Sequence, residues 1–333
     1  MIIKYQLRSV RKYFIANELQ LTPGIELAAM TSFCDSCVTP ARIALALLTS
    51  IGMAEPGEVR AEERSRSETL SGVDSEHMFG FTVGSDIGSA GEIEIEGEQD
   101  SGFGKRGGRY YAAMNSLQVK YTATDNFRIA PHVEFGHHAI SAVPGIADIN
   151  NLGAASGGVE FKYRFLNRAD APFGLTFGLD TSLARIDTAT GQRARDTALD
   201  FSLALDRELV PNRLFGAINF VYAPSWARDH TTGAWERAAV TEVSAALANR
   251  IFNGVFLGGE VRYLRAYETA GLSGFAGDAV FVGPTLYVMF SPRANMTLAW
   301  NVQVAGRAHG DIGRLDLTNF ERHQVRLRFG IGF

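Results

Sequence analysis

From residue 77 onward, apolar and polar side chains alternate with a period of two, the mark of β-strands with two unlike faces. The clearest run is the last. Val325, Leu327, Phe329, Ile331 and Phe333 alternate with Arg326, Arg328, Gly330 and Gly332. Val159, Phe161, Tyr163 and Phe165 alternate with Glu160, Lys162 and Arg164 in the same way, and the stretches 199–205 and 298–304 repeat it. The rhythm predicts twelve strands, at about 91–98, 109–123, 127–139, 157–166, 173–186, 194–209, 213–227, 236–250, 254–267, 278–290, 296–308 and 321–333. No segment of this region carries the period of an amphipathic helix.

The connections come in two kinds. Those at 124–126, 167–172, 210–212, 251–253 and 291–295 are short and carry the Asn, Asp and Pro that suit tight turns. They alternate with longer ones at 99–108, 140–156, 187–193, 228–235, 268–277 and 309–320.

Alternation alone leaves open which face is inside. In a soluble sandwich the apolar face is the core, whereas in a lipid-embedded barrel it meets acyl chains and the polar face lines a lumen. Many strands here exceed ten residues, enough to cross a bilayer at a tilt. Their number is even, and short turns alternate with long loops. Aromatic residues gather near strand ends: Tyr121, Phe127, Phe165, Phe173 and Phe290 by short turns, and Tyr110, Tyr111, Trp226, Trp235 and Tyr267 by long loops. That is the placement of two interfacial girdles. Together these features predict an all-β, closed antiparallel transmembrane barrel over 77–333, since lipid satisfies no open sheet edge.

The N-terminal part has another character. Residues 43–53 form an apolar stretch after Arg42, with Gly52 and Ala54 placed as a signal peptidase site. The expectation is a signal or targeting region over 1–54, cut after Ala54, with Met30 as an alternative start that would make 1–29 a gene-start artefact. Residues 55–76 are rich in Glu, Arg and Ser and read as a flexible linker. Residues 81–86 fit either an extra strand or a segment tucked into the lumen.

Composition narrows the function classes. A net charge of −4 gives a nucleic-acid partner no support. The two cysteines, Cys34 and Cys37, precede the apolar stretch, so the mature chain would hold neither a disulfide scaffold nor a cysteine metal cluster. No apolar run reaches the ~18 residues of a membrane-spanning helix. His230, His309 and His323 are scattered, with no metal-ligand spacing, and no cofactor is expected. The run from Gly102 to Gly108 lacks the Gly-Lys-Ser/Thr ending of a phosphate loop and reads as a surface loop.

The ending Leu327-Arg328-Phe329-Gly330-Ile331-Gly332-Phe333 resembles the terminal strand of bacterial outer-membrane barrels. The body over 77–333 resembles the small porin-like or transporter-type members of that group in Gram-negative bacteria. The resemblance implies an outer-membrane location, contact with lipid and lipopolysaccharide, and recognition of Phe333 by the barrel assembly machinery. Lys105, Arg106 and Arg109 are then candidate contacts for lipopolysaccharide phosphates.

Strand parity names the lumen-facing candidates. They are Glu92, Glu94 and Glu96 on the first strand and Lys120 on the second. Arg128, His132 and Glu134 follow on the third, and Glu160, Lys162 and Arg164 on the fourth. Asp180, Asp200, Asp206 and Glu242 give strands five to eight an acidic wall. Glu260 and Arg262 on the ninth and Arg326 and Arg328 on the last complete the set. Facing rows of fixed charge suit a passive channel for small polar solutes. The alternative is a sealed structural, receptor or adhesin-type barrel in which Glu92, Glu94 and Glu96 pair with Lys120, Arg326 and Arg328. An enzyme is not expected. The nearest group to a lipase site is His137, His138 and Ser141.

Overall fold

A computed structural model describes residues 74–228 and 233–333. The expected signal region over 1–54, the cysteines within it and most of the expected linker lie outside the described residues.

The strands are β1 (Ile93–Phe103), β2 (Arg109–Thr124), β3 (Phe127–Ser141), β4 (Ile149–Leu166), β5 (Gly174–Ile186) and β6 (Arg193–Val210). They continue with β7 (Leu214–Arg228), β8 (Trp235–Phe252), β9 (Val255–Tyr267), β10 (Phe275–Ser291), β11 (Ala294–Ala308) and β12 (His323–Gly332). Each pairs antiparallel with its sequence neighbours, and β1 closes the ring on β12. The protein is therefore an all-β, closed, twelve-stranded barrel. Among the described residues there is no helix.

Parity comes out as the alternation predicts. Ile93, Val119, Val133, Phe220, Leu257, Leu298, Leu327 and Phe329 point outward and are exposed. Glu96, Arg128, Glu160, Asp180, Glu260 and Arg328 point inward and are buried. So broad an apolar outer face is unstable in water and suits acyl chains. Rings pack along its turn-side edge, as in Phe127–Phe161 and Phe290–Phe329. Tyr110 departs from the expected girdle. It faces inward, and its hydroxyl donates to the Ala189 carbonyl at 2.8 Å. The side chain that faces lipid there is Tyr111, edge-on to His137.

Two boundaries differ from expectation. β1 continues to Phe103, and β4 begins at Ile149 instead of near 157. The stretch 149–158 is small and polar and shows no alternation, yet its backbone pairs with β3 through a bulge at Glu134/Phe135. Ladder hydrogen bonds make it a strand where side-chain pattern does not.

The turns 125–126, 211–213, 253–254 and 292–293 lie at one end of the barrel with β1's start and β12's finish. Gly254, at φ +73°, makes the Asn253–Gly254 hairpin turn, and an added Cβ there would sit 2.8 Å from the Met289 carbonyl oxygen. At the other end, loops fold inward over the mouth. Thr188, Ala189, Asp316, Asn319 and Phe320 are buried, and Phe320 packs edge-on to Phe281.

Candidate functional site in the barrel lumen

The lumen is occupied by the chain's own residues 74–90. A leading limb rises from the turn-side end to an apex at Gly80–Phe81, and a returning limb comes back to β1. The limbs are tied together: Ser75 donates from its amide and its hydroxyl to Asp86 Oδ2, at 3.0 and 3.1 Å. Of the two expectations for 81–86, the lumen segment is the one observed. It starts earlier than 77, because Ser75 and Glu76 at the end of the expected linker are already buried.

The leading limb is held by charge. Glu76 accepts from Arg128 Nη1 and Nη2 at 2.6 and 2.5 Å and from Lys162. His77 stacks its polar contacts on the same wall. Its Nδ1 meets Asp74, and its Nε2 lies 2.6 Å from Glu96 and 3.2 Å from Glu94. Burial disfavours charge on His77, but Asp74, Glu94 and Glu96 outweigh that and hold the imidazolium well above its usual range. Burial likewise disfavours the Glu76 carboxylate, and Arg128, Lys120 and Lys162 pull it well below the usual range. Asp74, Glu76, His77, Glu94 and Glu96 resemble a metal cage, but Lys120 Nζ already stands among them, 2.8 Å from Glu96 and 2.9 Å from His77. A fixed ammonium supplies the positive charge that a metal would bring.

The apex is held by shape. Met78 and Phe79 pack against Phe215, Phe256 and Tyr287. Gly80 has φ +54°, and an added Cβ would lie 2.6 Å from Glu260 Oε1 and 2.7 Å from Ala299 Cβ. Only glycine passes there without moving its neighbours. The Phe81 ring lies between the guanidinium groups of Arg262 and Arg326, 4.2 and 4.5 Å from its centre.

The returning limb is held through its backbone. Glu260 accepts from the amides of Phe81 and Thr82 at 3.1 and 2.8 Å. Asn219 pairs both ways with Val83, accepting at 2.7 Å and donating at 2.8 Å. Ser85 donates to Asp206, and Thr122 donates to the Ile87 carbonyl at 2.7 Å. Apart from the Ser85 hydroxyl's bond to Asp206, each satisfies a peptide group that would otherwise be buried without a partner.

Behind the segment, the wall binds itself. Arg326 holds Asp100 through two bonds, at 2.7 and 2.6 Å, and lies 3.4 Å from Glu98. Arg328 holds Glu98, and Arg262 holds Glu242 at 2.9 and 2.8 Å. Arg168 reaches from the β4–β5 turn to Asp86 and Asp206, both at 2.7 Å. The expected partners of Arg326 are thus replaced by carboxylates higher on β1, because the register sets Asp100 beside Arg326 and Glu98 beside Arg328.

The sequence-expected candidates face inward; Glu92, just before β1 at the turn-side mouth, pairs with Thr122 and accepts from the Ser89 amide at 2.9 Å. His132, Glu134 and Asp180 border a small cavity together with Glu76 and Lys162. Arg164 lies 3.7 Å from Asp86. Asp200 lines a second cavity inside the loop-side mouth. Glu76, His77, Phe81 and Asp86 were not legible as wall partners. Their one signal is the apolar run Met78-Phe79-Gly80-Phe81 directly after a polar stretch.

The lipase-like trio does not assemble. His137 and His138 are adjacent on one strand and so point to opposite faces, and His138 Nε2 lies 2.8 Å from the Thr188 carbonyl. Lys105, expected at the surface, is buried beside Glu321 at 3.6 Å, because loop 309–322 closes over it. Arg106 is paired with Asp311.

Comparison with solved structures finds the same architecture. The COG4313 outer membrane channel from Pseudomonas putida F1 aligns over 75% of this chain and 98% of its own, at 12% identity and a TM-score of 0.51. The NanC porin aligns over 72% and 98%, at 14% identity and a TM-score of 0.42. The β domain of the Bordetella autotransporter BrkA aligns over 74% and 100%, at 11% identity and a TM-score of 0.47. No curated protein matches the chain. A fold of this kind and an apolar outer belt make the protein a bacterial outer-membrane β-barrel. Residues 71–333 match one family model, which takes in the lumen segment with the barrel.

Proposed function

The chain belongs to the family of unknown function DUF6662, and we propose that this member is an outer-membrane channel for small polar solutes that its own residues 74–90 hold shut. The observation that carries this reading is the path of the segment. It enters and leaves the lumen at the turn-side end, so it can withdraw without threading through the barrel. The wall supports the same reading. Arg326–Asp100, Arg328–Glu98 and Arg262–Glu242 are pairs within the barrel, and they survive when the segment leaves. What remains is a lumen with both signs of fixed charge, suited to hydrated polar solutes. In this reading Phe333, whose amide donates to the Ile93 carbonyl at 2.8 Å, closes the last strand where the assembly machinery would read it.

A planar bilayer tests the proposal. Full-length protein should give rare conductance steps, and a variant lacking residues 74–90 should give frequent, larger ones. Heat-modifiable gel mobility checks that both have folded. A folded deletion variant that never conducts would overturn the channel reading. It would favour the sealed barrel, which the inward-folded loops at 187–192 and 309–322 support.

A further inference from the structure

A second charge pattern lies on the outside of the barrel. Near the loops, β5 to β8 carry Arg185, Arg195, Arg228 and Arg237, all exposed. Register fixes their direction. Phe201 pairs with Tyr222, Thr197 with Trp226 and Arg195 with Arg228, every second pair on the lipid side. Trp226 pairs onward with Arg237. Arg185 sits at a bulge in β5, between Ala184 and Ile186, and Ile186 packs inward against Met114 and Ala155.

The acids of the same strand ends point the other way. Asp196, Asp200 and Glu236 line the cavity inside the mouth, which Arg237 also borders. Among the described strand residues, the outward faces of β5–β9 hold no carboxylate. One thickness of sheet separates acid inside from base outside.

Arg195 and Arg228 are direct cross-strand partners. Their Cβ atoms are about 5 Å apart, close enough for one anion to meet both side chains, and Arg228 Nε also donates to the Gly233 carbonyl at 3.3 Å. Guanidinium groups grip phosphate oxygens two at a time. The height is also right. Going toward the loops, β7 runs Tyr222, Trp226, Arg228 on its outer face, so the arginines stand beside and just beyond the aromatic layer that marks the headgroup region. The other half of the rim differs. From β12 to β3 the outward residues Phe103, His323, Tyr111 and His137 pack as rings beside Arg109, and on β11 the exposed Arg307 lies 3.8 Å from Asp278 and over the Phe275 ring.

We propose that Arg185, Arg195, Arg228 and Arg237 form a docking surface for the phosphorylated headgroup of an outer-leaflet lipid, whose acyl chains lie along Leu183, Phe201 and Tyr222. Conduction plays no part in the inference.

The test is a titration of the purified full chain in detergent with a doubly phosphorylated glucosamine-disaccharide lipid, and with the same lipid stripped of phosphate. Retained lipid is read by native mass spectrometry. The R195Q/R228Q variant should retain the phosphorylated lipid about tenfold less well than the unaltered chain. R213Q, in the turn between β6 and β7 at the opposite end of the barrel, should match the unaltered chain, and the stripped lipid should bind all three weakly. Equal retention by R195Q/R228Q, or equal retention of the two lipids, overturns the proposal. So does displacement by inorganic phosphate at the lipid's own concentration, which would mean an adventitious anion only. Heat-modifiable mobility confirms folding, and if the double variant does not fold, R237Q alone is read in the same way.

Discussion

The Glu76 carboxylate spans both terminal nitrogens of the Arg128 guanidinium, joining the start of the lumen segment to β3 across a sequence separation of 52. Removing one member of a buried pair costs about 3 kcal/mol or more, because the other charge is left without its match. Here Arg128 keeps Glu160 at 3.2 Å, so the loss falls on the segment more than on the wall. Glu76→Gln is expected to leave barrel folding intact and to raise the frequency of conductance steps. Unchanged single-channel records from a folded Glu76→Gln protein would mean that this pair does not hold the segment.

Gly80→Val tests the apex independently of charge. The β-branched side chain must enter a space that Glu260, Ala299 and Thr285 already fill, on a backbone with positive φ. The expected result is a segment that no longer seats, read as protease cleavage within residues 74–90 of the folded barrel. Equal resistance of variant and unaltered protein would refute it.

His77 predicts a pH dependence. Its pKa in the folded segment stands above the unfolded value of about 6.5. The stabilisation it contributes is therefore complete below about pH 6.5 and fades as pH rises through the folded value. Asp74, Glu76, Glu94 and Glu96 favour its charge, and Lys120 opposes it. Open probability should be lower at pH 6 than at pH 9, and His77→Gln should flatten the difference. An opposite slope would reverse the sign assigned to this contact.

Leu203 and Ser202 test the two faces of one strand. Leu203 pairs with Phe177 and Phe220 on the outer face. Leu203→Arg should cost about 2–4 kcal/mol if it lies near the bilayer midplane. Ser202→Arg, pointing inward beside Gly178, should cost much less. Denaturant titrations of refolding into lipid vesicles compare them, and equal penalties would contradict the parity.

The barrel was legible because lipid on one side and charge on the other force strict alternation, as from Val325 to Phe333. It failed at 149–158, where Asn, Gly, Ala and Ser give no contrast between faces and backbone pairing alone decides. Tyr110 and Tyr111 show the limit of counting aromatics, since adjacent residues on a strand face opposite media. The lumen charges were legible one by one but not as a set. Their partners Glu76, His77 and Asp86 sit in a segment with no periodicity, placed by contacts from β2, β3, β4 and the β4–β5 turn. Such an arrangement is tertiary, and no local pattern encodes it.

Residues 74–90 run directly into β1, so each molecule carries its own stopper on a leash. Occupancy of the lumen then depends on the leash's reach and not on how many copies share the membrane. A short flexible tether gives a local concentration on the order of millimolar. A free peptide with the same sequence must exceed that level before it competes, and a pull on the leash from the turn side releases one barrel without disturbing its neighbours.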